Sequence, residues 1–101
     1  MQFKEILALL PSIDTLSRAT FTRRHDQAQF ELHNQPGQAG SLAVYVALAR
    51  LYGVIDARAA AMGLHWYAEH TQDALAHPGK HPNIDRLLAL KASTDVWEMQ
   101  A

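Results

Sequence analysis

The chain contains no cysteine among its 101 residues. This absence excludes disulfide bonds, thiolate-ligated zinc or iron–sulfur sites and cysteine nucleophiles. It also fits a reducing compartment, so we expect a cytoplasmic protein. Residues 1–5 lack the basic stretch and apolar run that open a signal peptide, which supports the same expectation.

Long hydrophobic runs and an excess of charge of one sign are also missing. The longest apolar run, residues 42–49, stops at Arg50, well short of the roughly 20 residues that span a bilayer. Nine basic and ten acidic side chains give a formal net charge of −1, without the basic patch of a nucleic-acid-binding protein. We therefore expect no membrane segment and no nucleic-acid partner.

What is present is an ordinary globular composition, 49% hydrophobic and 19% charged, at a length typical of one domain. Apolar residues at positions 3, 6, 7 and 10 predict a short helix that Pro11 ends. Residues 19–23 and 28–33 alternate apolar and polar side chains, which predicts an antiparallel hairpin. Near the end of the chain, Val96 and Trp97 predict that the weakly patterned tail, residues 93–101, docks somewhere.

Three further helices are predicted after the loop at residues 34–40. The first, residues 42–52, begins at Ser41 as its N-cap, with a buried strand over residues 42–46 as the alternative. The second covers residues 57–77, and the third covers residues 84–92.

The two later helices have recognisable caps. Asp56 precedes the second helix and Asn83 precedes the third, and both are good N-cap residues. The prediction is therefore one α+β domain over residues 1–101. It has a short N-terminal helix, a two- or three-stranded antiparallel sheet, and then three helices packed on the sheet.

Four of the six histidines lie between Gly63 and Leu88, with three acidic residues among them. On a helix over residues 57–77, His70, Asp73 and His77 fall within roughly 60° of one another, and His81 follows in the next turn. We predict that these four residues bind a divalent metal, zinc first, with nickel, copper or iron as alternatives. Because His70 and His77 lie about 10 Å apart along the axis, their side chains must lean together to share one ion.

A second group of residues predicts a small-ligand site. Gly37, Gly40 and Ser41 open a helix, where free N–H groups attract phosphate or carboxylate, although a flexible connector is the simpler interpretation. Lys80 can contact an anion, or it is an ordinary exposed lysine. Trp66 is a large aromatic residue on a polar face, which predicts that a ligand, the tail or another subunit covers it.

The leading functional hypothesis is a protein that binds a divalent metal or a small anionic ligand through this helix face and turn. Glu69 and His70 are the candidate catalytic acid–base residues, and a metal with an open position would support hydrolytic or lyase chemistry. The alternative is a non-enzymatic interaction module, a homodimer or adaptor, that uses Trp66 and Trp97. Solvated side chains on a surface helix are the simplest interpretation.

Two strings carry a family resemblance. Residues 67–71 read Tyr-Ala-Glu-His-Thr, and residues 77–85 read His-Pro-Gly-Lys-His-Pro-Asn-Ile-Asp. With Gly-Ser-Leu-Ala-Val-Tyr at residues 40–45, they resemble a small uncharacterised bacterial protein family, the domain of unknown function 2322. The resemblance implies a bacterial, single-domain, soluble protein. It brings no catalytic assignment with it.

Overall fold

Five helices and a three-stranded sheet make up the fold, in a computed structural model that describes residues 1–101. In chain order the elements are α1 (Phe3–Leu9), β1 (Arg18–Arg23), β2 (Gln29–His33), α2 (Ala39–Tyr52), α3 (Ala57–Trp66), α4 (Glu69–Ala76), α5 (Pro82–Lys91) and β3 (Trp97–Gln100). The predicted α+β class, with an N-terminal helix and an antiparallel sheet, is confirmed. No helix has the length and hydropathy needed to cross a membrane.

The sheet has the strand order β2-β1-β3, and both pairings are antiparallel. Phe21 lies opposite Phe30, and their rings stack with centroids 4.9 Å apart. The tail forms the third strand, and Trp97 is buried there. Alternating side chains place Phe21 and Leu32 in the core beneath the helices.

Helix α2 runs through the centre of the domain, with seven buried residues between Leu42 and Ala49. The prediction of a helix in this segment is therefore confirmed, and the alternative of a buried strand over residues 42–46 is wrong. Helix α2 begins at Ala39, however, so the prediction that Ser41 is the N-cap is wrong. Gly53 ends the helix with a positive φ of 81°, which glycine adopts without strain.

The single helix predicted over residues 57–77 is wrong, because the chain breaks it into α3 and α4. Asp56 caps α3 as predicted, accepting from two backbone amides. The break lies at Ala68, whose φ of 52° and ψ of −119° are not helical. Four helices therefore follow the hairpin instead of three, and the polar face predicted for one long helix is divided between two.

Close helix packing surrounds Gly63 on α3. A Cβ atom at this position would lie 2.7 Å from Leu87 of α5 and 2.8 Å from Leu48 of α2. Only a residue without a side chain lets the three helices approach this closely. Helix α5 begins at Pro82 with His81 as its N-cap, so the prediction that Asn83 is the cap is wrong.

Helix α1 lies on the outside of the domain and contributes no buried residue. Its Phe3 amide donates to Glu69 Oε1 on α4 at 2.7 Å. Its Phe3 and Leu7 side chains approach Gly40 near the start of α2. These contacts hold α1 against the starts of α4 and α2.

Candidate functional site

A cavity of about 370 Å³ opens where α1 and α4 meet the starts of α2 and α5. Its wall is formed by Phe3, Gly37, Ala39, Gly40, Ser41, Tyr67, His70, Lys80, His81, Pro82, Asn83 and Ile84. The predicted ligand residues Gly37, Gly40, Ser41 and Lys80 are therefore brought together with two of the predicted metal ligands, His70 and His81. Two groups of residues that the sequence predicted separately share one site.

Two helix starts form part of the cavity wall, and neither has a side-chain cap. In α2, the amides of Gly40 and Ser41 donate to no acceptor within the chain. In α5, Pro82 has no N–H, and the amide of Asn83 is also without an acceptor. Unpaired amides at a helix start carry partial positive charge and attract anions.

Asp73 lies behind this wall and ties α4 to the turn before α5. Its Oδ2 atom lies 2.8 Å from Lys80 Nζ and 2.6 Å from His81 Nε2. Hydrogen bonds from the Lys80 ammonium, the larger effect, and from His81 hold the pKa of Asp73 at about 2, below its ordinary value of 3.8. The ion pair fixes the position of Lys80 at the cavity.

The four predicted metal ligands are brought together only in part. His81 contacts Asp73, and the rings of His70 and His81 have centroids 5.7 Å apart. His77 is exposed, its Nε2 lies 3.9 Å from Asp73 Oδ1, and it lies outside the cavity wall. No group of three or more His, Asp or Glu residues has positions that could hold a metal ion.

In this arrangement the residues do not fit a metal site, because a lysine ammonium occupies the carboxylate that would bind the cation. Zinc and the other divalent metals stay a prediction, which measured metal content would test.

The candidate catalytic residues Glu69 and His70 both contact α1. The Phe3 amide donates to the Glu69 carboxylate, and this hydrogen bond lowers the pKa of Glu69. Glu69 lies outside the cavity wall, and in this structure it ties α1 to α4. His70 lies in the wall, with its ring edge-on to Phe3 at a centroid distance of 5.1 Å. Their catalytic role stays a prediction.

The two tryptophans that suggested a partner pack within the chain. Trp66 is half-buried against the core and lies outside the cavity wall. Trp97 is 8% exposed, with the Arg23 guanidinium 5.3 Å from its ring centroid. A homodimer or adaptor function stays a prediction, and the packing of these rings gives it no separate support.

Six residues of the cavity wall were not predicted as site residues: Phe3, Ala39, Tyr67, Pro82, Asn83 and Ile84. In the sequence, Phe3 marked only an apolar position of the first helix, Tyr67 only the family string, and Asn83 only a helix cap. In the structure Phe3 stacks on Tyr67, with centroids 5.2 Å apart and an angle of 20° between the rings. No signal in the sequence pairs these two residues, because the contact joins the N-terminal helix to the break between α3 and α4.

Comparison with known proteins identifies the family but no activity. Neither the curated proteins nor the solved structures gave a match to the chain. The family model described as uncharacterized protein conserved in bacteria (DUF2322) matches residues 3–101, and this confirms the resemblance carried by residues 67–71 and 77–85. The chain therefore belongs to the DUF2322 family of bacterial proteins.

Proposed function

We propose that the cavity between α1, α2, α4 and α5 binds a small anionic ligand. The observation that carries this proposal is the convergence of unpaired donors on one cavity. The amides of Gly40, Ser41 and Asn83 come from two helix starts, and none has an acceptor within the chain. An anion in the cavity would supply the acceptors that these groups lack.

The electrostatics of the cavity favour negative charge in the ligand. Each helix start acts as roughly half a positive charge, and an anion at such an end gains about 0.3–2 kcal/mol depending on burial. Lys80 adds a full charge, which Asp73 balances from behind the wall. No acidic side chain lines the cavity wall, whereas Lys80 does, so a ligand meets the two helix starts and the Lys80 ammonium at the wall itself.

The size and lining of the cavity favour a small organic anion over a bare ion. A volume of about 370 Å³ falls in the range of small-molecule pockets. Phe3, Tyr67 and Ile84 supply apolar surface beside the polar groups. We infer that the charged group of the ligand contacts the helix starts and that its body contacts the aromatic wall.

Titration calorimetry with inorganic phosphate at low ionic strength tests the proposal. Wild-type protein should bind phosphate, and affinity should fall as salt is added because screening weakens the attraction. Lys80→Met should weaken binding about 10-fold, the effect of losing one partly exposed charge-assisted contact. Lys91→Met is the matched control, because Lys91 is exposed at the far end of α5.

Two results would refute the proposal. One is a wild-type protein that binds neither inorganic phosphate nor a small organic anion such as benzoate or phenyl phosphate. The other is a Lys80→Met variant that binds phosphate as tightly as the Lys91→Met control.

A further inference from the structure

The hydroxyl group of Tyr67 has one partner, Ser41. Tyr67 is 3% exposed, and its Oη lies 2.7 Å from Ser41 Oγ. A buried hydroxyl without a hydrogen bond is costly, and no other acceptor is available, so Tyr67 donates to Ser41. Burial raises the pKa of Tyr67, so the phenol keeps the proton that it donates.

Ser41 consequently has its own proton to give. Its Oγ accepts from Tyr67, and the Ser41 hydroxyl donates to no acceptor within the chain. Ser41 is half-buried and lies in the cavity wall. The bond from Tyr67 therefore leaves the Ser41 hydroxyl as a donor toward the cavity.

The acceptors of Asn83 and Asp73 are already used by donors within the chain. Asn83 Oδ1 accepts from Arg86 Nη1 at 2.7 Å, and the Asn83 carbonyl accepts from the Tyr45 hydroxyl at 2.5 Å. The Asp73 carboxylate accepts from Lys80 and is bonded to His81. A ligand therefore meets the free donors of Gly40, Ser41 and Asn83, while the acceptors of Asn83 and Asp73 are occupied. A charged group rich in acceptors matches these donors.

We propose that the ligand is a phosphate monoester and that Tyr67 is a positioning residue, which holds the Ser41 hydroxyl as a donor to the phosphoryl oxygens. This inference rests on the proposed anion-binding function. The three terminal oxygens of a phosphoryl group accept from several directions at once, whereas a carboxylate offers two oxygens in one plane. The ester group attaches the organic body for which the cavity has room beside Phe3.

The ligand class is tested with phenyl phosphate, benzoate and inorganic phosphate, each titrated into wild-type protein. Phenyl phosphate and benzoate share a ring and differ in the oxyanion. Phenyl phosphate should bind at least about 10-fold more tightly than benzoate, because it can form one or more additional charge-assisted hydrogen bonds. It should also bind more tightly than inorganic phosphate. Equal or tighter binding of benzoate, or of inorganic phosphate, would overturn the assignment of a monoester.

The role of Tyr67 is tested by a double-mutant cycle on phenyl phosphate affinity. Ser41→Ala removes the donor and should weaken binding about 10-fold. Tyr67→Phe keeps the buried ring and removes the bond to Ser41, and it should weaken binding by about 5-fold. Because both variants disrupt one path, the double variant should bind no more than about 2-fold worse than Ser41→Ala alone. Tyr52→Phe is the control, since the Tyr52 hydroxyl makes no hydrogen bond within the chain.

These experiments distinguish failure of the anion-binding proposal from failure of the role proposed for Tyr67. If none of the three probes binds wild-type protein, the proposed function itself is wrong. If phenyl phosphate binds but Tyr67→Phe matches the Tyr52→Phe control, the positioning role is wrong and the anion site remains. Losses that multiply in the double variant would also refute the positioning role, because they would show two independent effects. If Tyr67→Phe does not fold, Ser41→Ala still tests whether the Ser41 hydroxyl contacts the ligand, and a Ser41→Ala variant that binds phenyl phosphate as tightly as the Tyr52→Phe control would refute that contact.

Discussion

Ala68 separates α3 from α4 with a backbone conformation that alanine rarely adopts. Its φ of 52° and ψ of −119° lie in a region that glycine enters freely. Holding a residue with a side chain in such a conformation costs about 1–3 kcal/mol. Glycine would remove that strain. It would also make the unfolded chain more flexible, which lowers the free energy of unfolding by about 0.5–1 kcal/mol. We therefore expect Ala68→Gly to raise the free energy of unfolding by about 1 kcal/mol.

Urea denaturation at equilibrium measures this effect, with an unchanged slope showing that the transition is still two-state. In a domain of this size a gain of 1 kcal/mol should raise the melting temperature by about 4–8 °C. Ala61→Gly is the matched control, because Ala61 is exposed in the middle of α3. The free energy of unfolding of Ala61→Gly should fall by about 1 kcal/mol, the ordinary cost of glycine inside a helix. If Ala68→Gly loses as much stability as the control, then Ala68 has a helical conformation and α3 and α4 are one continuous helix.

Three further predictions concern packing, acid stability and metal content. Gly63→Ala should destabilise the protein by about 1–2 kcal/mol in urea denaturation, since two buried leucine side chains must shift to admit a methyl group; a gain in stability would contradict the packing. Because Lys80 and His81 hold the pKa of Asp73 at about 2, their contribution to stability is complete above about pH 4 and is lost toward pH 2. Denaturation between pH 4 and 2 should therefore depend less on pH in Asp73→Asn, and an unchanged pH dependence would contradict the ion pair. Elemental analysis of untagged protein tests the zinc prediction: because Lys80 pairs with the Asp73 carboxylate, we expect no stoichiometric zinc, and one equivalent per chain that disappears in His70→Ala and His77→Ala would support the metal hypothesis instead.

The hairpin and the central helix follow from local patterns in the sequence. Alternation over residues 19–23 and 28–33 places one face of each strand in the core, so the register is recoverable from the apolar positions. Helix α2 is apolar on nearly every face, which a central buried helix requires. These features depend on neighbours along the chain, and the sequence displays them directly.

The break at Ala68 depends on tertiary contacts instead. Alanine has the highest helix propensity, and the apolar and polar positions continue across residues 66–69 without a glycine or proline to interrupt them. The break places Tyr67 beneath Phe3, which comes from the N-terminal helix. A pattern of local propensities cannot contain that contact, so a single long helix was the natural expectation.

The candidate site was predictable in its parts but not in its assembly. The sequence marked Gly37, Gly40 and Ser41 as a helix start, and separately marked the turn that carries Lys80 and His81. That the two helix starts share one cavity follows from the packing of α5 beside α2 and α3 around Gly63. The role of Tyr67 was hidden for the same reason, because its hydroxyl partner lies 26 residues away.

The central claim is that the free amides at two helix starts bind one anion. An amide ¹H–¹⁵N correlation spectrum recorded during titration with phenyl phosphate tests it most directly. The account predicts that the largest shifts fall on Gly40, Ser41 and Asn83 and follow one binding curve. Large shifts confined to other regions, or different curves for α2 and α5, would contradict it.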